Sequence, residues 1–122
     1  VSAFSLQDFV VIDESYLVYC NFSKIYSIKN DHITIFDPYF KNDNHFFLTS
    51  EMVNNSSLPL KLNYKNIYIS LAYLIIFLFY GKYKYEKKEN LTLMSNLLGT
   101  KLYYFVNNCL EENVQNRHIC FF

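Results

Sequence analysis

The chain has 122 residues, 52 % of them hydrophobic and 20 % aromatic, with 12 Tyr, 12 Phe and no Trp. That length is one domain, long enough to bury a core without disulfides or a metal. The 11 basic and 11 acidic residues cancel, so the chain lacks the positive field of a general nucleic-acid surface. Two Gly and two Pro leave little room for a glycine-rich phosphate cradle and exclude a disordered or fibrous composition.

In chain order, residues 4–7 form a lead-in. DFVVI, residues 8–12, is apolar and β-branched and predicts a strand. Asp13-Glu14-Ser15 breaks it. YLVYC (16–20) and KIYSI (24–28) predict two more strands, with Asn21-Phe22-Ser23 as a turn between them, so the three pieces suit a small antiparallel sheet. Leu17 and Tyr19 face either solvent or a helix, and the pattern does not choose. Asn30 or Asp31 then caps a short helix over 32–36, which Asp37-Pro38 breaks. Pro38 suits the first turn of a new helix with Asp37 as its cap. KNDN (41–44) is polar and expected at the surface. SEMVNNSS (50–57) reads as a loop or a frayed helix end, and LPLKL (58–62) as a strand with Pro59 at an edge or a strand start.

Helices dominate the second half. Ser70 caps a helix over 71–80, with Leu71, Leu74, Ile75 and Leu78 on its core face, and Gly81 stops it. KYKYEKKE (82–89) is a polar loop. Asn90 caps the next helix, with Leu91, Met94, Leu97 and Leu98 along one side, and Gly99 ends it. A third helix over 101–113 turns Leu102, Phe105, Val106 and Cys109 inward. The sum is a small α+β domain, strands early and helices late, without a repeat or a linker.

Three cysteines, Cys20, Cys109 and Cys120, cannot all pair internally, and their spacing matches no zinc pattern. Reduced thiols in the cytoplasm or nucleus are expected. The run IYISLAYLIIFLFY (67–80) is shorter than the roughly 18–20 residues of a membrane span, so it is expected to be a core helix. The start VSAF lacks the basic head and apolar centre of a signal peptide. His32, His45 and His118 are scattered, and no Ser-His-Asp, Cys-His or paired-carboxylate arrangement stands out. No enzyme activity, no cofactor, no metal, no nucleic acid and no membrane are therefore expected. The aromatic excess in a neutral chain favours an oligomer or a complex. Phe46 and Phe47 are adjacent and face opposite ways in extended chain, so one of them is expected at the surface, beside Tyr39.

PYFKNDNHFFLTSEM (38–52) resembles the segment of the BTB/POZ domain family that runs from S-P-Y-F to S-E-M. YLIIFLFYGKY (73–83) is similar to that family's L-L-x-F-x-Y-T-G-K helix and turn, and Asn90-Leu91 to the pair that opens its next helix. Leu97-Leu98, Phe105 and Cys109 resemble its L-L, L and C positions, and Asp8-Phe9-Val10-Val11 its first strand. The resemblance covers about residues 6–120, and it extends more distantly to Skp1/elongin C.

The resemblance implies a BTB/POZ-like fold, a small early β-sheet capped by helical hairpins. It implies a protein–protein interaction module that forms homodimers or higher oligomers and acts as an adaptor in a cullin-3 type ubiquitin ligase. The alternatives it implies are a Skp1/elongin C-like monomeric subunit of a larger complex and a transcription-regulator oligomerisation domain. Phe4, Leu6 and Asp8 fall where family members dimerise. Tyr39, Phe46, Phe47 and Met52 fall on the segment expected to meet a partner. Asp8 takes the acidic place of a charged pocket whose basic partner falls near Ser27. The family's A-H-K falls on Ile28, Lys29 and Asn30, and Asp37 replaces its Ser. An insert around 42–45 lengthens the loop near the family's cullin face.

Overall fold

The computed structural model describes residues 3–36, 47–54 and 57–119. The expectations for the helix start at Asp37-Pro38, for Tyr39, Phe40 and Phe46, for the surface stretch 41–44 and for Cys120 lie outside the described residues.

The first two strands form where their β-branched runs predict them. A 3-10 turn, Leu6–Asp8, is capped by the Ser5 hydroxyl, which accepts from Gln7 N at 3.4 Å. Strand β1 (Phe9–Ile12) then pairs antiparallel with β2 (Tyr16–Tyr19), with Phe9 opposite Tyr19 and Ile12 opposite Tyr16. The connecting turn places Asp13 and Glu14 at φ 52° and 56°, and Ser15 N donates to Ile12 O at 3.1 Å. Two positive φ values give the turn the twist of a hairpin. Glu14 has no short side-chain excuse for that conformation, so Glu14→Gly is expected to stabilise the chain by about 0.5–1 kcal/mol. A rise in the urea midpoint checks it, and an unchanged or lowered midpoint contradicts it.

The next segment departs from expectation twice. No third strand forms over 24–28. Instead Asn21 caps a 3-10 turn, Phe22–Lys24, with its Oδ1 accepting from Ser23 N at 3.2 Å. Residues 32–36 are also not helical. Strand β3 (His32–Ile35) occupies them, pairing antiparallel with β4 (Leu60–Asn63). Asn30 and Asp31 do not cap a helix; they sit at φ 50° and 63° in a two-residue turn. Lys29 and His32 flank it and exchange both backbone hydrogen bonds, at 2.8 and 3.0 Å. Asn and Asp tolerate the left-handed region, which hairpin turns require. Ile33 and Ile35 alternate inward with Leu60 and Leu62, a period of two rather than 3.6. Pro59 directly precedes β4, as a strand-start proline should. Ala3, Ile33, Ile35, Met52, Leu60 and Leu62 close a small core of their own.

The helices follow. Helix α1 is short (Ser50–Asn54) and buries Met52. Helix α2 (Asn66–Tyr80) begins earlier than expected, and Gly81 ends it at φ 70° with its N–H on Phe77 O at 2.8 Å. Ser70 therefore lies inside the helix rather than at its cap. Its buried hydroxyl accepts from Phe4 N at 2.9 Å and donates to Phe47 O at 2.7 Å, so it ties two distant segments to α2. The buried apolar residues of α2 are Ala72, Tyr73, Leu74 and Ile76, whereas Leu78 is 55 % exposed. The helix is apolar nearly all round, so spacing alone does not reveal its inner side.

Helix α3 spans Lys87–Leu93, and Asn90 is inside it, not its cap. Asn90 is fully buried and braces the preceding loop. Its Oδ1 accepts from Lys84 N at 2.8 Å and its Nδ2 donates to Lys84 O at 2.6 Å. Helix α4 (Lys101–Cys109) is capped by Thr100, whose Oγ1 accepts from Tyr103 N at 3.2 Å. It stops at Cys109 rather than 113, because Arg117 draws the following chain back. Its Nε donates to Glu111 O at 2.6 Å and its Nη2 to Glu112 O at 3.3 Å.

Helices α2 and α4 pack together around Tyr73, Leu74, Ile76, Met94, Phe105, Val106 and Cys109. The described residues thus form a mixed α+β fold, with two two-stranded antiparallel sheets and helices in the second half. No three-stranded early sheet is present among them.

This core carries a pH signature. Tyr73 stacks on Tyr83 with ring centroids 4.6 Å apart. Burial first, then Tyr85, pushes the Tyr83 hydroxyl from 10.0 up to about 12, and burial pushes the Cys109 thiol from 9.0 up to about 12. Both fold as neutral groups, and both ionise at lower pH once unfolded. Their stabilisation is complete below about pH 9 and is lost as pH rises from about 9 to 12. The urea midpoint is expected to stay level between about pH 7 and 8.5 and to fall above about 9. In Cys109→Val the fall should begin about one pH unit later, with the tyrosines. A level midpoint through about pH 11 contradicts this account.

Candidate functional site

The β1–β2 hairpin sets two faces by alternation. One carries Phe9, Val11, Leu17 and Tyr19; the other carries Val10, Ile12, Tyr16 and Val18. No position in either strand is charged. A strand lacking polar residues on both sides usually lies inside a sheet with both faces covered. Here it does not. From Val10 to Ile12 and from Tyr16 to Val18 every residue is exposed, between 38 % for Val18 and 66 % for Tyr16. Leu6, Phe22 and Ile25 add exposed apolar side chains in the flanking segments.

Only the base of the hairpin is anchored. Phe4 packs on Phe9 at 5.7 Å and edge-on to Tyr19 at 5.9 Å, and Phe9 meets Tyr19 at 5.5 Å. Beside these rings lies a buried ion pair. Asp8 Oδ2 accepts from Lys24 Nζ at 2.7 Å, and Asp8 Oδ1 accepts from Asn21 Nδ2 at 2.9 Å. The Asp8 carbonyl accepts from Cys20 N at 2.7 Å, closing the hairpin onto the same residue. The basic partner of Asp8 is therefore Lys24, not a residue near Ser27. The Phe22–Lys24 turn carries the ammonium back to the start of β1.

The expected site residues divide. Phe4 and Asp8 come together at the base of the hairpin, and Leu6 is exposed next to them. Phe47 and Met52, expected on a partner-facing segment, are core side chains in this chain. Phe47 is 4 % exposed against Phe77 and Tyr83, and Met52 is 1 % exposed in the β3–β4 core. Ser70 and the β3–β4 sheet draw that segment inward. Tyr39 and Phe46 lie outside the described residues. Sequence spacing missed Val10, Val11, Ile12 and Val18 as surface residues. Local pattern held no signal for their exposure, because strands without polar residues usually lie covered.

Among the described residues no three His, Cys, Asp or Glu side chains gather as metal ligands, and no helix is long and apolar enough to cross a membrane. Comparison of the chain with protein-family models, curated proteins and solved structures finds no match.

Proposed function

We propose that this chain is a self-associating protein-interaction module, and that two copies meet through the β1–β2 ribbon. The observation that carries this reading is a two-stranded ribbon apolar on both faces and uncovered beyond its base. An isolated two-stranded ribbon is marginal in water. The six exposed side chains divide between the two faces, four on one and two on the other, so a contact through one face is small, of the size of a weak or transient interface. The zero net charge removes the repulsion that would hold two copies apart. A twofold arrangement also needs no second partner to complete it.

The finer reading, a BTB/POZ-like domain serving as an adaptor in a cullin-3 type ligase, rests on the order of the sequence motifs. The strand at His32–Ile35, where the resemblance implies helix, is a departure from it. Sedimentation equilibrium tests self-association, as argued in the Discussion. The adaptor role is tested separately by titration with the N-terminal domain of cullin-3. A folded dimer that fails to bind removes the adaptor role and leaves self-association standing. A monomer that forms a stable complex with a larger chain points to the Skp1/elongin C-like alternative.

A further inference from the structure

The β3–β4 sheet has one apolar side and one basic side. Ile33, Ile35, Leu60 and Leu62 face the core, so alternation puts His32, Thr34 and Lys61 on the other side. Thr34 pairs with Lys61, and Lys29 pairs with His32 across the Asn30-Asp31 turn, which brings both lysines to that side. Neither lysine is in an ion pair among the described residues, where the pairs are Lys24–Asp8 and Lys87–Glu111. The His32 ring is held by its Nδ1, which donates to the Asn30 carbonyl at 2.7 Å, so Nε2 is the ring nitrogen left for another contact. Like charges gathered on one sheet face repel unless an anion joins them.

A cleft of about 480 Å³ opens on this side, and Lys29, His32, Thr34 and Lys61 all line it. The Tyr26 and Phe36 rings add flat apolar surface, and Phe36 is 68 % exposed. The Ser27 and Thr34 hydroxyls add neutral donors. No described residue lining the cleft is acidic; Asp31 is exposed in the adjoining turn and does not line it. Two unneutralised ammonium groups attract a dianion more than a monoanion. Together with the hydroxyls they supply the donors that phosphate oxygens accept. Exposed rings beside lysines suit a flat aromatic body, which stacks on them. The volume is that of a small-molecule site.

We infer that this cleft binds a phosphate monoester carried on a flat ring, a nucleoside monophosphate or a phosphotyrosine side chain. Side chains, rather than a glycine-rich loop, hold the phosphate. The site lies within one copy, on the β3–β4 sheet, and does not depend on self-association through the β1–β2 ribbon.

The test is NMR titration of the full chain, following the ring signals of His32 and Phe36. Adenosine monophosphate and N-acetyl-phosphotyrosine amide stand for the two sources, and the tighter of them identifies the source. Adenosine keeps a ring without the charge, inorganic phosphate keeps the charge without a ring, and hexaglutamate stands for an acidic chain. Saturable shifts are expected with one or both phosphate esters, and binding about tenfold weaker or more with adenosine, with inorganic phosphate and with hexaglutamate. Lys29→Gln and Lys61→Gln change exposed residues, and each is expected to weaken ester binding about fivefold. Lys88→Gln removes the same charge from another exposed position and is expected to leave ester binding unchanged. An equal loss with Lys88→Gln overturns the proposal. So does adenosine, inorganic phosphate or hexaglutamate binding as tightly as the better ester, and so does the absence of shifts with either ester up to about 20 mM.

Discussion

Replacing Lys24 with methionine is expected to destabilise the chain by about 3–5 kcal/mol, the range for breaking a buried ion pair from one side. The Lys24 and Asp8 side chains are only 10 % and 5 % exposed, with 2.7 Å between charged atoms. Removing the ammonium leaves a buried carboxylate whose described side-chain partner is the neutral Asn21 amide. Asp8 also ends the turn that enters β1 and receives Cys20 N at the end of β2. The loss should therefore appear as loosening of the hairpin base, not as a local surface effect. The double change Asp8→Asn with Lys24→Met removes both charges and keeps an amide beside Asn21. Most of the lost stability is expected to return, because a neutral replacement of a buried pair is often close to even. Urea unfolding of the three variants checks this. A Lys24→Met loss below about 0.5 kcal/mol would mean that the pair does not hold the hairpin.

Much of this architecture was legible in local pattern. β1 and β2 are dense in β-branched and aromatic residues with a polar break between them, and both form within one residue of expectation. Gly81 ends α2 as expected, at φ 70°, whereas Gly99 does not end the helix before it: α3 stops at Leu93, and a 3-10 turn, Ser95–Leu97, comes between them. What local pattern missed depends on distant partners. HITI is too short to separate a helix from a strand by periodicity, and β4, which decides the matter, lies more than twenty residues further on. Asn30 and Asp31 serve equally as a helix cap or a hairpin turn in sequence, and only the ladder between Lys29 and His32 selects the second. Ser70 and Asn90 read as caps because capping is the common use of such residues. In the fold both are buried inside helices and hydrogen-bond backbone groups elsewhere, which spacing does not encode. Lys24 reads as the start of a strand. Its burial follows from the 3-10 turn that brings it to Asp8.

The candidate surface was the least legible part. The two apolar strands carry no assignment of faces in sequence, Leu17 and Tyr19 suiting solvent or a helix, and the segment holding Phe47 and Met52 reads as the partner-facing one. The fold buries that segment and leaves the strands exposed. Ser70 and the β3–β4 sheet internalise Phe47 and Met52, while Val11, Ile12, Tyr16 and Leu17 stay in water. That exposed ribbon sets the second large prediction. Val11 and Ile12 lie on opposite faces of the ribbon, so changing both to lysine charges each face whichever one meets the partner. Both positions are exposed, so folding stability is expected to change by no more than about 0.5 kcal/mol. Across a twofold interface the lysine on the contacting face would be desolvated close to its own copy, and lysine on a ribbon edge also blocks strand pairing. Association is expected to weaken on the order of 100-fold or more. Unchanged circular dichroism with unchanged association would show that the ribbon is not the contact.

Sedimentation equilibrium of the wild-type chain beside Val11→Lys/Ile12→Lys tests the central claim most directly. At micromolar concentration the wild type is expected at twice the 14.6 kDa chain mass and the double variant at 14.6 kDa. A wild-type mass of 14.6 kDa that persists to about 100 µM would contradict self-association through the β1–β2 ribbon.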